Sequence, residues 1–170
     1  MEKRTITDRV HFLPSVHWNR RLFDALIPLP DGTSYNAYLE RWHLVDALVR
    51  RNVKVHLFDL AVTDLGKLAI SLVDAATLIV GTPTVHVGPH PVVFSASHLA
   101  NCLRPKLRFA SIIGSYGWSS KAIDRITALI PNLKVDILDP VLCRGYPRED
   151  TFRALDALAD AVAEKHAALT

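Results

Sequence analysis

The feature that most constrains the fold is a regular alternation, from Trp42 onward, of short apolar runs with segments of helical periodicity. The apolar runs predict strands at residues 53–60, 76–80, 107–113 and 133–142. The periodic segments predict helices at 42–51, 64–74, 92–102, 120–129 and 148–168, with Thr63 as a helix cap. Residues 76–80 are wholly apolar, which is typical of a parallel strand covered on both faces. The alternation therefore predicts a parallel sheet with helices on both faces.

The first 40 residues have a different character. They are rich in aromatic residues, proline and turn residues, and only 10–13 and 33–39 predict short strands. We expect residues 1–40 to form a short β-rich extension and residues 41–170 to form the α/β domain.

Composition excludes several classes of protein. The 170 residues are 49% hydrophobic and 22% charged, as in a globular domain. The net charge of +3 is scattered without a basic stripe, which argues against a nucleic-acid partner, and no apolar run is long enough for a membrane span. The two cysteines, Cys102 and Cys143, form no CxxC pair, which argues against a zinc knuckle or a disulfide scaffold and favours a cytoplasmic protein.

Two glycine-bearing loops follow predicted strands and precede predicted helices, so both lie at the carboxyl edge of the sheet, where such folds bind ligands. The first loop covers residues 81–91, and its glycines allow close approach of a ligand while its prolines stiffen it. The second covers 114–119 and places Tyr116 and Trp118 beside glycines, as flat surfaces for a planar ring. Ordinary turn chemistry, with Trp118 closing the end of the core, explains the same residues equally well.

The motifs GTPT at 81–84, the GP at 88–89 and GSYGW at 114–118 together resemble the flavodoxin domain of the flavodiiron proteins, also called A-type flavoproteins. The resemblance runs from Val53 to Ala168 and implies a flavodoxin-like, doubly wound α/β fold. In that family the two loops surround the isoalloxazine ring of FMN. The resemblance thus implies a cofactor-binding role for ten residues: Thr82, Pro83, Thr84, Val85, His86, Gly88, Ser115, Tyr116, Gly117 and Trp118.

The N-terminal segment resembles the start of the family's metallo-β-lactamase-like domain, through VHF at 10–12, HWNRRLF at 17–23 and LIPLPDGTSYNAYL at 26–39. The HxExDH motif that contributes to the di-iron site in the family is missing, and the eight histidines are scattered without metal-ligand spacing. We therefore expect no iron. His56 and His98 suit packing or solvent exposure, whereas His86 and His90 flank the first loop and could reach the ring.

The resemblance also implies that the usual first strand and its phosphate-binding loop are missing. Residues 39–43 contain no Gly, Ser or Thr, and Glu40 would repel a phosphate. We expect FMN to bind weakly or not at all, and we expect residues 33–39 to fill the vacant central position of the sheet.

Two functions remain open. One is an FMN-binding electron-transfer protein of the A-type flavoprotein family, without catalytic residues or a di-iron site of its own; in the family, the reaction is reduction of oxygen or nitric oxide. The other is a cofactor-free remnant or interaction module. The resemblance implies a rubredoxin-like electron donor, and either a homodimer or pairing with a full-length relative.

Overall fold

A computed structural model describes the backbone of residues 7–13, 22–23, 27–28 and 37–169, and the side chains of 39–169. Within these ranges, the main sheet contains β1 (Thr7–Leu13), β4 (Val53–Leu57), β5 (Thr77–Val85), β6 (Gly88–Pro89), β7 (Phe109–Tyr116), β8 (Asp136–Ile137) and β9 (Val141–Arg144). Two short strands, β2 (Leu22–Phe23) and β3 (Ile27–Pro28), form an antiparallel pair. The helices are α1 (Ala37–Arg50), α2 (Leu65–Leu72), α3 (Pro91–Leu103), α4 (Ala122–Leu129) and α5 (Glu149–Ala167).

The strand order confirms the predicted fold class. The order across the sheet is β4-β1-β5-β7, with both β8 and β9 pairing with β7, and every pair in this series is parallel. Only β6 runs antiparallel, against β5. Among the parallel strands this is the order second, first, third, fourth, fifth, which is that of doubly wound flavodoxin-like sheets.

The central position of the sheet is filled, although by a different segment from the one expected. β1 lies between β4 and β5, with Val10 opposite Val55 on one side and Thr77 on the other. The prediction that residues 33–39 form this strand is wrong for 37–39, which begin α1. Residues 33–36 lie outside the described residues. The predicted gap in the sheet is therefore closed by the N-terminal segment, part of which belongs to the α/β sheet.

The core forms two layers because alternate side chains of the buried strands point to opposite faces of the sheet. Leu78 and Val80 of β5 pack in the layer beneath α2, α3 and α4, whereas Ile79 between them packs in the layer beneath α1 and α5. The helix α1 is longer than predicted, and Asp64 rather than Thr63 caps α2, by accepting a hydrogen bond from the Gly66 N–H.

No helix among the described residues is long and apolar enough to cross a membrane.

Candidate functional site

The two predicted loops meet at the carboxyl edge of the sheet. β5 and β7 stay paired to their ends, with Thr82 opposite Gly114 and Pro83 opposite Ser115. A Cβ atom on Gly114 would lie 1.9 Å from the Thr82 carbonyl oxygen, so only glycine permits this approach. The prediction that both loops share one edge is confirmed.

The first loop is a β-hairpin instead of an irregular glycine and proline loop. β5 continues to Val85 and pairs with Gly88–Pro89, which leaves His86 and Val87 as a two-residue turn. Both have positive φ, 47° and 67°, as type I′ hairpin turns require. The glycines of this loop do not supply positive φ, and among the described glycines only Gly145 has it.

Hydrogen bonds hold the hairpin rigidly against the starts of α3 and α4. The fully buried Thr82 hydroxyl donates to the Pro83 carbonyl at 2.9 Å and accepts from the His90 N–H at 2.9 Å. The Thr84 hydroxyl donates to Ser120 Oγ at 2.8 Å. At the tip, the Lys121 N–H donates to the Val87 carbonyl at 2.6 Å. The hairpin is thus a preorganised wall of the site.

The turn stores backbone strain, because β-branched residues are rarely found at positive φ. Replacing His86 with Asn and Val87 with Gly would place the preferred type I′ pair at these positions. We expect the free energy of unfolding of the double variant, measured by urea denaturation, to be about 1 kcal/mol higher than that of the wild type. A variant with unchanged or lower stability would contradict the strained turn.

The second loop presents an exposed aromatic side chain. Trp118 is 78% exposed. A Cβ atom added to the neighbouring Gly117 would meet nothing within 4 Å. The loop backbone is held from β9 and the turn after it: Arg144 Nε donates to the Gly117 carbonyl at 3.0 Å, and the Gly145 N–H donates to the Tyr116 carbonyl at 2.8 Å. The indole is therefore exposed to solvent on a loop whose backbone is held in place by hydrogen bonds.

The ten predicted site residues separate into two groups by exposure. Four are buried within the paired strand ends: Thr82, Pro83, Gly88 and Ser115. The other six are half-buried or exposed around the edge: Thr84, Val85, His86, Tyr116, Gly117 and Trp118. The first group shapes the edge, and the second is the part that a ligand could touch.

The side chain of His90 is not accessible to a ligand at this edge. It is buried and forms the N-cap of α3, where its Nδ1 accepts a hydrogen bond from the Val92 N–H at 3.3 Å. His86, at the tip of the hairpin, is exposed. Of the two histidines that flank the first loop, His86 is thus the one accessible to a ligand.

A buried polar pair that was not predicted from the sequence lies beneath the second loop. Glu40, in the first turn of α1, is fully buried, and the Cys143 thiol on β9 donates to its Oε1 at 2.6 Å. Burial raises the pKa of Glu40 to about 7, partly offset by the hydrogen bond from Cys143. The expectation that Glu40 would repel a phosphate at the surface is wrong, because its carboxyl points into the protein.

Metal-binding side chains are dispersed in the part of the chain that the structure describes, where no group of three or more His, Cys, Asp or Glu could hold an ion. Other histidines have structural contacts. His43 Nε2 lies 3.0 Å from Asp156 Oδ1 and joins α1 to α5, and the buried His166 lies 2.7 Å from the Thr77 hydroxyl. His56 is half-buried on β4, and its pKa is lowered by burial and by Lys54, while His98 is exposed.

Comparison with known sequences identifies relatives that match part of this chain. No protein-family model matches the chain. An uncharacterised protein of Methanocaldococcus jannaschii is 29% identical over 121 residues, which are 69% of this chain and 31% of that protein. A nitric oxide reductase of Moorella thermoacetica is 30% identical over 56% of this chain and 24% of its own length. A rubredoxin-oxygen oxidoreductase of Megalodesulfovibrio gigas is 28% identical over 53% of this chain and 23% of its own. The matched regions thus span about a quarter to a third of these relatives.

Comparison with solved structures extends to nearly the whole chain. The rubredoxin oxygen:oxidoreductase of Desulfovibrio gigas matches with a TM-score of 0.79 and 20% identity over 96% of this chain and 37% of that one. A flavodoxin from the domain Archaea matches with a TM-score of 0.67 and 20% identity, over 92% of this chain and 97% of that one. The flavodiiron protein of Giardia intestinalis matches with a TM-score of 0.69. The chain therefore has the flavodoxin-like fold, and the proteins it resembles in sequence and structure are flavodiiron proteins and flavodoxins.

Proposed function

We propose that the chain binds FMN at the carboxyl edge of its sheet and serves as a flavodoxin-like electron-transfer protein without a di-iron site of its own. The observation that carries the proposal is the pairing of Thr82 with Gly114 and of Pro83 with Ser115. This pairing places a rigid hairpin beside a loop whose tryptophan is exposed. Flavodoxin-like sheets bind flavin at this edge.

The residues at this edge fit the ring of a flavin. The exposed indole of Trp118 offers a flat face for stacking, and the open space around Gly117 leaves room for a planar ring to approach the backbone. Thr84 is hydrogen-bonded to Ser120, and Val87 at the hairpin tip is hydrogen-bonded to Lys121. The hairpin therefore loses little conformational entropy when a flavin binds. The bound flavin would supply one- or two-electron transfer. The chain's own residues bind the ring, orient it and cover one of its faces.

We propose that the affinity comes mainly from contacts to the ring and is weak. Residues 39–43, at the start of α1, contain no Gly, Ser or Thr that would bind a phosphate through a hydroxyl or a close backbone approach. Without strong recognition of the phosphate, riboflavin and FMN should bind with affinities within about tenfold of each other. Fluorescence titration of both flavins measures this ratio, and a preference for FMN of more than about a thousandfold would contradict it.

Removing the stacking surface tests the ring site. Trp118→Ala is expected to weaken FMN binding about five- to tenfold, because an aromatic stacking contact contributes roughly 1–1.5 kcal/mol. Trp118→Phe should keep most of the affinity. Trp42→Ala is the matched control, because Trp42 is exposed on α1 and is not among the residues of the proposed ring site. Equal loss in Trp118→Ala and Trp42→Ala would contradict the site.

A second candidate is a cofactor-free interaction module, and one observation favours it. The Thr82 hydroxyl already has two hydrogen-bond partners within the protein, and its side chain is fully buried, so the edge is complete without a ligand. Equilibrium titration of FMN with the protein, followed by flavin fluorescence, separates the candidates because it also detects weak binding. A saturable change in fluorescence supports the carrier, and no change supports the module.

We also propose that a small rubredoxin-like protein supplies the electrons, and that the chain pairs with a second copy or with a full-length relative in the cytoplasm. A relative named for rubredoxin and oxygen supports the first part. Reduction of the flavin-loaded protein by reduced rubredoxin, followed by stopped-flow absorbance, tests it, and no reduction would contradict it.

A further inference from the structure

Glu40 and Cys143 form a buried polar contact between two distant parts of the chain. Glu40 has no exposed surface and Cys143 is 6% exposed, and their side chains lie 2.6 Å apart. The second carboxyl oxygen, Oε2, is also buried and has no hydrogen-bond partner among the described residues. A buried carboxyl with one donor and one unpartnered oxygen is costly in its charged form.

The contact leads directly to the loop of the proposed ring site. Cys143 lies opposite Ser115 in the sheet, and its thiol also lies 3.4 Å from the Gly145 carbonyl. The next contacts are those of Arg144 with the Gly117 carbonyl and of the Gly145 N–H with the Tyr116 carbonyl. Glu40 is thus connected to the backbone that carries Trp118 through the end of one short strand.

Building on the proposed function, we propose that Glu40 is a positioning residue of the flavin site. Its protonated carboxyl, through the Cys143 thiol, fixes the end of β9 and so the loop that carries Trp118. Loss of that proton releases the contact and lowers the affinity for the ring.

The charges around the pair favour this behaviour. Burial is the main cause that raises the pKa of Glu40 to about 7, so the carboxyl changes charge near neutral pH. Burial, the hydrogen bond and the charge of Glu40, with a smaller effect of Asp150 at the start of α5, raise the pKa of the Cys143 thiol. The thiol therefore remains a protonated donor. The nearest cations along the chain are Arg41, which follows Glu40 on α1, and Arg144, which follows Cys143 on β9.

The hydrogen bond from the thiol favours the charged carboxylate, but it offsets the cost of burial only in part, so ionisation should draw the carboxyl toward water and away from Cys143. A charged carboxylate at this position has one weak thiol donor, whereas movement toward water would solvate it fully. Such movement separates Glu40 from Cys143 and removes the contact that joins the end of β9 to α1, while the pairing of β9 with β7 remains.

The test compares wild type, Glu40→Gln and the control Glu164→Gln, which removes an exposed carboxylate from α5. Flavin affinity is measured from about pH 5.5 to about pH 8.5, and the indole N–H signal of Trp118 is followed by NMR without flavin over the same range. We expect wild type and Glu164→Gln to lose affinity about threefold or more around pH 7, with the indole signal moving along the same curve. Glu40→Gln should show neither change, and an unaltered midpoint in Glu40→Gln would overturn the proposal.

Cys143→Ala provides an independent test. Its control is Cys102→Ala, which removes the exposed thiol on α3. Removing the thiol should abolish the pH-dependent movement of the Trp118 signal, whereas Cys102→Ala should retain it. A movement retained in Cys143→Ala would overturn the proposal. If no flavin binds at any pH, the proposed function fails, and the indole titration of the flavin-free protein still decides the role of Glu40.

Discussion

Replacing Gly114 with alanine is expected to lower the free energy of unfolding by about 3 kcal/mol or more. The added Cβ would lie 1.9 Å from the Thr82 carbonyl oxygen and 3.0 Å from its carbon. Both atoms belong to the backbone of a neighbouring strand, so relief of the clash requires β5 and β7 to separate. Urea denaturation followed by far-ultraviolet circular dichroism measures the loss.

Gly117→Ala is the matched control for this prediction. It lies three residues further along the same chain segment, where a Cβ would meet nothing within 4 Å. Its effect should stay within about 0.5 kcal/mol, as for most surface substitutions. Equal destabilisation by the two alanines would contradict the close approach of the strands.

The second large effect is a loss of stability as pH rises toward neutral. The pKa of Glu40 is raised from 4.5 to about 7 in the folded protein by burial. An acid with a raised folded pKa stabilises the fold fully below its unfolded pKa, and this contribution disappears as pH rises through the folded value. Since each pKa unit corresponds to about 1.4 kcal/mol, the contribution of Glu40 is roughly 3 kcal/mol at pH 4.5 and below, and is lost by about pH 7.

The contribution of Glu40 is isolated by subtracting the pH profile of Glu40→Gln from that of the wild type. The difference should fall steadily between about pH 4.5 and pH 7 and then level off. Other titrating groups cancel because both proteins contain them. A difference curve that is flat, or that rises with pH, would show that the Glu40 carboxyl is not held in a buried, neutral form.

The order of helices and strands could be predicted because it depends on local periodicity. The wholly apolar residues 76–80 mark the start of β5, which begins at Thr77, and Gly117 directly follows the end of β7 at Tyr116. Since parallel strands end at the same edge, the meeting of the two loops followed from sequence alone.

Residues 10–13 of the central strand were predicted to form a strand, but its position in the middle of the sheet was not predicted. Thr7–Leu13 contains Asp8, Arg9 and His11, which do not suggest a strand in the middle of a sheet. Its partners begin at Val53 and Thr77, so its position depends on pairing between distant segments. The hairpin turn was hidden for another reason, since His86 and Val87 are not residues that favour positive φ.

Glu40 was misjudged because a charged residue is rarely buried without a partner. Its partner, Cys143, lies 103 residues away, and nothing in either local sequence links the two. The candidate site was thus predictable in its exposed loops, and unpredictable in the buried contact beneath one of them.

The claim that a flavin ring binds between the hairpin and the second loop is tested most directly by NMR of ¹⁵N-labelled protein during addition of FMN. We expect the largest shifts at the Gly117 amide, the Trp118 indole N–H and the His86 amide, at the carboxyl edge of the sheet. An unchanged spectrum, or shifts confined to residues such as Val73 and Lys106 beyond the opposite ends of the strands, would contradict it.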